Sequence, residues 1–271
     1  MLANTLTLND GHEIPRLGLG VWQARDDEAA KAVTHALSCG YRHIDTAAIY
    51  GNEAEVGRGL RDSDVPRDQI FVTSKVWNDR IRAGETAEAI DESLKLLGIE
   101  QLDLMLLHWP TEGRNIAWQA LIEARKAGLV RSIGVSNFLP EHLDELVGET
   151  GVVPALNQIE HHPWLNQADI KLACKRHGIA VEAWSPLMQG RFAESPVIGE
   201  IAAATGRTEA QVVLRWALQQ DIIVIPKSVT PSRIEENAQL FDFELDAQQV
   251  ASIDAIGHEE RLGPDPATFD F

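Results

Sequence analysis

Short apolar runs alternate along the chain with longer stretches whose apolar residues recur at every third or fourth position. The runs read as buried strands and the longer stretches as amphipathic helices. Strands are expected over Leu17–Gly20, Arg42–Asp45, Ile70–Lys75, Leu102–His108, Val130–Ser136, Pro154–Glu160, Ile179–Trp184 and Ile222–Pro226. Helical spacing is carried by Ala30, Val33 and Leu37, by Ala87, Ile90, Leu94 and Leu97, and by Ile116, Ala120 and Ala124. A further helix opens with Thr208, Glu209, Ala210 and Gln211, a capping box, and runs through Val212, Leu214 and Trp216. Ahead of these units, Thr5–Leu8 and Glu13–Leu17 flank Asn9, Asp10 and Gly11, residues that favour a hairpin turn. This hairpin is expected to cap one end of the fold.

Regular alternation of strand and helix implies a parallel sheet. About eight such units in 271 residues favour an α/β fold, a (β/α)8 TIM barrel with an N-terminal β-hairpin cap. A doubly wound open sheet is the rival. No Pro/Gly/Ser-rich linker and no internal repeat divides the chain, so residues 1–271 read as one domain. The tail from Gly257 to Phe271 is rich in proline and acid and lacks a period; it either folds over the barrel mouth or frays.

Composition narrows the possible partners. A formal net charge of -17 argues against a nucleic-acid or anionic-membrane surface, so an anionic ligand needs a local basic cluster. Two cysteines, Cys39 and Cys174, both in helical contexts, are read as reduced structural thiols. The chain shows neither a secretion signal pattern nor an apolar run of spanning length, so a soluble, cytoplasmic protein is expected.

In a parallel barrel the active site lies at the C-terminal ends of the strands. Those positions carry Asp45, Lys75, His108, Ser136 with Asn137, Gln158, Trp184 with Ser185, and Lys227, while Tyr50 follows Asp45 by a short turn. Each alone is as well explained by a solvated charge or a surface pair. Their repetition over seven strand ends points to a functional rim. A tyrosine ionises near pH ~10, and a neighbouring ammonium brings it toward the working range. Asp45 would hold that ammonium, and His108 would orient a carbonyl oxygen. The set suits proton donation to a developing alkoxide and lacks a covalent nucleophile or a metal site. A proton donor of this kind needs a hydride source, which side chains do not supply. Ser136, Asn137 and Gln158 suit a carboxamide, and Trp184 offers a face for a ring. Thr230 reads as an N-cap and Pro231 as the first helical residue, with Lys227, Ser228 and Arg233 nearby. That is either an anion site fit for a 2′-phosphate or a capped surface helix with two incidental bases.

Other signals carry less. Gly18 and Gly20 begin a dinucleotide fingerprint that Gln23 breaks. The pairs at His161 and His162 and at His258, Glu259 and Glu260 lack metal-ligand spacing, so no metal is expected. Glu182 sits inside a strand, without the paired acid a glycosidase requires. Trp118 and Trp216 fall on helical patterns as core.

With these residues in place, the chain resembles the aldo-keto reductase family, and most closely the prokaryotic branch that includes 2,5-diketo-D-gluconate reductases. The likeness rests on GYRHIDTAAIYGNE from Gly40, SKVW from Ser74, LLHWP from Leu106 and IGVSNF from Ile133. It continues through NQIEHHP from Asn157, WSPL from Trp184 and IPKSV from Ile225, and spans nearly the whole chain. The resemblance implies a barrel that binds NADPH in an extended pose. It makes Tyr50 the proton donor, tuned by Lys75 and Asp45, with His108 directing the carbonyl. It assigns Ser136, Asn137 and Gln158 to the carboxamide and Trp184 to stacking, where many relatives carry tyrosine. Ser185, Leu187 and Gln189 then fall beside the pyrophosphate, and Lys227, Ser228, Val229, Arg233, Glu236 and Asn237 at the adenosine phosphate. Trp22, Trp77 and Trp109 would line the substrate pocket, and the family's bacterial members suggest a monomer. The expected activity is NADPH-dependent reduction of a small carbonyl compound: an aldehyde, a dicarbonyl or a keto-sugar. The alternative is an NADPH-binding sensor or partner subunit with little turnover.

Overall fold

The computed structural model describes residues 4–257 and 259–269. Two short strands, β1 (Thr5–Thr7) and β2 (Glu13–Pro15), pair antiparallel with Leu6 opposite Ile14. The chain then continues through β3 (Leu19–Gly20), α1 (Asp27–Ser38), β4 (His43–Asp45), α2 (Glu53–Arg61) and β5 (Phe71–Val76). Two helices, α3 (Asn78–Ala83) and α4 (Thr86–Leu97), lead to β6 (Leu102–Leu107), α5 (Arg114–Lys126), β7 (Val130–Ser136) and α6 (Pro140–Thr150). Next come β8 (Leu156–Glu160), α7 (Ala168–His177), β9 (Ala180–Trp184), α8 (Pro196–Thr205) and α9 (Glu209–Gln219). The last elements are β10 (Ile223–Val224), α10 (Pro231–Asn237) and α11 (Ala247–Asp254).

Strands β3 to β10 lie side by side in chain order, every neighbour parallel. Parallel bridges from Leu17 to Val224 and from Gly20 to Lys227 bring the first strand back to the last and close the barrel. Closure explains the two glycines whose spacing mimics a nucleotide fingerprint. A Cβ at Gly18 would lie 2.7 Å from His43 Nδ1, and one at Gly20 would lie 2.8 Å from the Ile225 carbonyl oxygen. They are packing glycines at the seam.

Apolar side chains form two layers. The larger lies between the strands and the surrounding helices and includes Trp118 and Trp216, as expected. The smaller fills the lower barrel with Phe71, Leu104, Leu106, Leu156 and Ile223, and Leu8 and Ile14 of the hairpin seal it. Asn9 Nδ2 donates to the Pro154 carbonyl at 2.8 Å, and His12 Nδ1 meets Ser132 Oγ at 3.1 Å. The hairpin therefore plugs the N-terminal ends of the strands and leaves the opposite mouth open. Burying a side chain such as Ile14 contributes about 1.5–3 kcal/mol.

Some boundaries and faces differ from the sequence pattern. β10 is shorter than Ile222–Pro226, because Pro226 has no N–H for the ladder. α5 turns Ala117, Trp118, Leu121, Ile122 and Ala124 inward and leaves Ile116 70% exposed. Of the Ile116, Ala120, Ala124 stripe only Ala124 faces fully inward, because burying Trp118 and Leu121 covers more apolar area and sets the helix rotation. In α4 Ala89 rather than Ala87 faces the core. The Thr208 capping box forms, with Thr208 Oγ accepting from Gln211 N at 3.3 Å and Gln211 Oε1 accepting from Thr208 N at 3.0 Å. Thr230 is the N-cap residue of α10, but its side chain makes no capping bond. Ser228 Oγ instead accepts from Thr230 N at 3.1 Å. Among the described residues no helix is long and apolar enough to cross a membrane.

Candidate active site

A cavity of about 580 Å³ opens at the C-terminal ends of the strands. It is lined by Trp22, Asp45, Tyr50, Trp77, His108, Trp109, Ser136, Asn137, Gln158, Trp184, Ser185, Leu187, Gln189 and Lys227. Lys75 lies buried below it. Ser228, Val229, Arg233, Glu236 and Asn237 lie beyond it, on the segment leading into and along α10.

The stretch after β4 places Tyr50. Asp45 ends the strand, and the chain turns through one 3-10 turn, Ala48–Tyr50, closed by Gly51 at φ 65°. Asn52 pins this turn: it accepts from Thr46 Oγ at 2.8 Å and donates to the Val21 and Ala24 carbonyls at 2.9 and 3.0 Å. Glu53, at the start of α2, accepts from Ser74 Oγ at 2.6 Å and so ties the turn to β5. The sequence reading missed Thr46, Asn52 and Glu53, whose only signal was polarity beside a tyrosine.

Lys75 Nζ donates to Asp45 Oδ1 at 2.7 Å and to the Thr46 carbonyl at 2.8 Å, and lies 3.4 Å from the Tyr50 hydroxyl. Burial alone would lower the lysine, but Asp45, Tyr50 and Glu182 outweigh it and raise it, so the ammonium stays charged. Burial pushes Asp45 up, and Lys75 and Gln158 pull it back. For Tyr50 the expected fall is not the net result. Burial raises the phenol more than Lys75 lowers it, so Tyr50 keeps its proton at neutral pH. His108 is driven well below the usual imidazole range by burial and by Lys75, and is neutral. Its ring stands edge-on to Tyr50 and Trp77, with centroids 5.9 and 5.1 Å away.

On the far side of the mouth the amides are engaged with one another. Ser136 Oγ donates to the Gln158 carbonyl at 2.9 Å. Asn137, held at φ 64°, donates to the His108 carbonyl at 3.0 Å and to Ser136 Oγ at 3.1 Å, and accepts the Trp184 indole N–H at 2.8 Å. Gln158 Nε2 reaches two carboxylates, Asp45 Oδ2 at 2.8 Å and Glu182 Oε1 at 2.5 Å. Glu182 is fully buried and its Oε2 has no partner. Burial and the nearby Asp45 push it up to about 8. In the sequence Glu182 is only an acid inside a strand without a glycosidase's paired acid, since no periodicity shows what a barrel-interior residue meets across the closed sheet.

The described part of the tail, through residue 269, folds over the mouth, which decides between the two courses for that part, while Asp270 and Phe271 lie outside the described residues. Glu160, buried at the end of β8, accepts from Leu262 N at 2.6 Å, from Gly263 N at 3.2 Å and from His162 Nε2 at 3.0 Å. Gly263 packs so closely on Trp184 that a Cβ there would lie 2.4 Å from the indole. Phe269 lies over Trp109, with centroids 4.1 Å apart, and adds an aromatic wall near Trp77. His258 lies outside the described residues. Along the other flank, Met188, Gln189 and Gly190 take positive φ, and Arg191 pairs with Glu194 and Glu260 at 3.0 Å.

Lys227 and Arg233 are exposed. Glu236 Oε1 accepts from Thr208 Oγ at 2.9 Å and joins α10 to α9, and Asn237 is buried. Among the described residues, His35, Cys39 and Glu235 form one group of donors close enough to hold an ion. It lies where α1 meets α10, away from the mouth, and His35 already pairs with Glu235 at 3.0 Å.

Known proteins resemble the chain along nearly its whole length. The aldo/keto reductase family model matches residues 16–258. An aldo-keto reductase of Mycolicibacterium smegmatis is 51% identical over 269 residues, covering 98% of each chain. Methylglyoxal reductase DkgA of Escherichia coli is 46% identical over 269 residues, covering 97% of each. A variant of Gox0644 solved in complex with NADPH superposes with a TM-score of 0.94 at 44% identity, covering 99% of each chain. The chain belongs to the aldo/keto reductase family.

Proposed function

We propose, taking that membership as the premise, that the protein reduces a small aldehyde, dicarbonyl or keto-sugar to the alcohol, with Tyr50 as proton donor. As a family member it is an NADP-dependent oxidoreductase. Bound NADPH supplies the hydride. The residues present fit such a group. Gln158 spends both amide hydrogens on carboxylates, which leaves its carbonyl oxygen to accept from a carboxamide. Ser136 and Asn137 complete that grip, and Trp184 supplies a ring face. Ser185, Leu187 and Gln189 fall to the pyrophosphate. Lys227, Ser228, Val229, Arg233, Glu236 and Asn237 fall to the adenosine end, where two exposed cations within an acidic chain favour a 2′-phosphate.

One observation carries the catalytic reading: the Tyr50 hydroxyl, at the floor of the cavity, lies 3.4 Å from an ammonium that Asp45 holds charged. Tyr50 retains its proton until negative charge develops on the substrate oxygen. The proton then passes from the hydroxyl to that oxygen, and Lys75 stabilises the phenolate left behind. His108, neutral, can donate one ring N–H to hold the carbonyl in place. Trp22, Trp77, Trp109 and Phe269 narrow the mouth to a small substrate. The methylglyoxal reductase relative makes dicarbonyls the first class to try, with 2,5-diketo-D-gluconate next.

NADPH absorbance followed over methylglyoxal, aromatic aldehydes and keto-gluconates tests the proposal. Turnover of at least one class, lost in Tyr50→Phe, is expected. A blank across the panel, or full activity in Tyr50→Phe, overturns it.

A further inference from the structure

Three groups inside the barrel can carry charge beneath the mouth: Asp45 on β4, Lys75 on β5 and Glu182 on β9. The facing imidazoles add no charge. Burial takes His43 down to about 3 and His108 well below its usual range. One cation therefore faces two carboxylates in a poorly solvated interior, and leaving a second anion there unpaired is costly. Lys75 resolves the choice by contact: it lies 2.7 Å from Asp45, and none of its hydrogen bonds goes to Glu182. His43 Nε2 is 3.8 Å from Glu182 Oε2 and is already bonded to Thr73 Oγ at 3.1 Å. The unpartnered Oε2 of Glu182 is the atom left to hold a proton.

The same carboxyl sets the orientation of an amide. Gln158 and Glu182 are register neighbours on β8 and β9, so their side chains rise on the same side of the sheet. An amide nitrogen has two hydrogens, and Gln158 gives one to Asp45 and the other to Glu182. Flipping the amide would put its oxygen against ionised Asp45. We propose that Glu182 is a positioning residue: as a neutral acid it takes the second N–H of Gln158, fixes that amide with its oxygen free for the nicotinamide carboxamide, and leaves Asp45 as the single anion facing Lys75. This rests on the cofactor placement proposed above.

The chemistry predicts a direction with pH. When Glu182 loses its proton, the added negative charge raises both Tyr50 and Lys75. It also places a second anion beneath the position of an anionic cofactor. NADPH affinity should therefore fall as pH rises past about 8. Stability follows the same group. Its folded value, about 8, exceeds its ordinary 4.5, so its contribution is complete below 4.5 and is lost as pH rises toward 8.

Two variants test the inference, Glu182→Gln, which keeps shape and acceptor without an ionisable proton, and Glu182→Leu, which removes the acceptor. NADPH binding is read by fluorescence, and thermal unfolding of the cofactor-free protein is read between pH 5 and 9. Glu182→Gln should bind NADPH within about twofold of the parent at pH 7 and show no weakening past pH 8. Its melting advantage over the parent should grow from pH 5 to 8 and then level off. Glu182→Leu should bind about tenfold more weakly at pH 7 while melting there no lower than the parent. Parent-like binding by Glu182→Leu, or parallel pH profiles of melting for the parent and Glu182→Gln, overturns the inference. A parent protein that fails to bind NADPH overturns the cofactor placement and this inference with it.

Discussion

The two ends of the barrel interior differ in kind. The lower half is filled by Phe71, Leu104, Leu106, Leu156 and Ile223 and sealed by Leu8 and Ile14, with no charged group among them. The upper half buries Asp45, Lys75, Glu182 and two imidazoles. Each buried ion costs several kcal/mol before its partner offsets it. Close packing at the N-terminal ends supplies stability, and the C-terminal ends spend part of it on groups placed for chemistry. Both halves are built from the same eight strands, so a residue's height along its strand predicts which property a substitution will alter.

The largest expected contrast sets one substitution from each half side by side. Tyr50→Phe removes a hydroxyl whose hydrogen bond is the long 3.4 Å contact with Lys75. It should cost roughly 100- to 10,000-fold in kcat and leave the melting temperature nearly unchanged. Leu106→Ala empties part of the sealed layer and should cost about 2–5 kcal/mol of stability, with kcat per folded molecule unchanged. Steady-state kinetics and denaturant melts on both variants decide it. A Tyr50→Phe protein that unfolds, or a Leu106→Ala protein that is stable and slow, breaks the division.

Much of this division is legible in the chain. Strand order and height follow from apolar runs that end in ionisable or amide residues, which is why Asp45, Lys75, His108 and Gln158 could be placed at one mouth. What stays hidden depends on closure. Glu182 looks like any polar residue within a strand until β9 is set beside β8 and across from β4. The α5 face is ambiguous because Ile116 and Trp118 support different rotations, and only packing chooses Trp118. The tail has no period, since it is held through the backbone N–H groups of Leu262 and Gly263, which leave no mark on residue type. Its one signal is Glu160, an acid at a strand end.

A smaller effect concerns acid. His43 and His108 are buried in the upper half, His161 is buried beside it against Trp216 and Lys171, and burial lowers all three. A histidine neutral when folded and near 6.5 when unfolded contributes stability above 6.5 that is lost as pH falls. For His43 the loss continues down to about 3. Unfolding free energy should therefore fall below pH 6.5 by about 1.4 kcal/mol per unit for each such histidine. Replacing His43 by Gln should make that fall shallower. An unchanged slope would place the acid sensitivity outside the barrel interior and weaken the contrast between its halves.

The smallest expected effect lies at the rim, where the tail crosses the polar half. Glu160 is a single buried carboxylate that receives the backbone N–H groups of Leu262 and Gly263, so one side chain anchors the segment that packs on Trp184. Glu160→Gln keeps one acceptor oxygen, loses the charge, and should cost about 1–2 kcal/mol locally. That loss should fall on the tail rather than on the barrel, since the strand beneath is held by its own ladder from Leu156 to Glu160. Limited proteolysis should therefore cut the tail faster in Glu160→Gln while the global melt shifts little. If the tail covers bound NADPH through its contact with Trp184, stopped-flow release of NADPH should also quicken several-fold, with the hydride step unchanged. Faster cleavage with unchanged release would leave the tail as a cover for the substrate end alone, the end that Phe269 walls against Trp109.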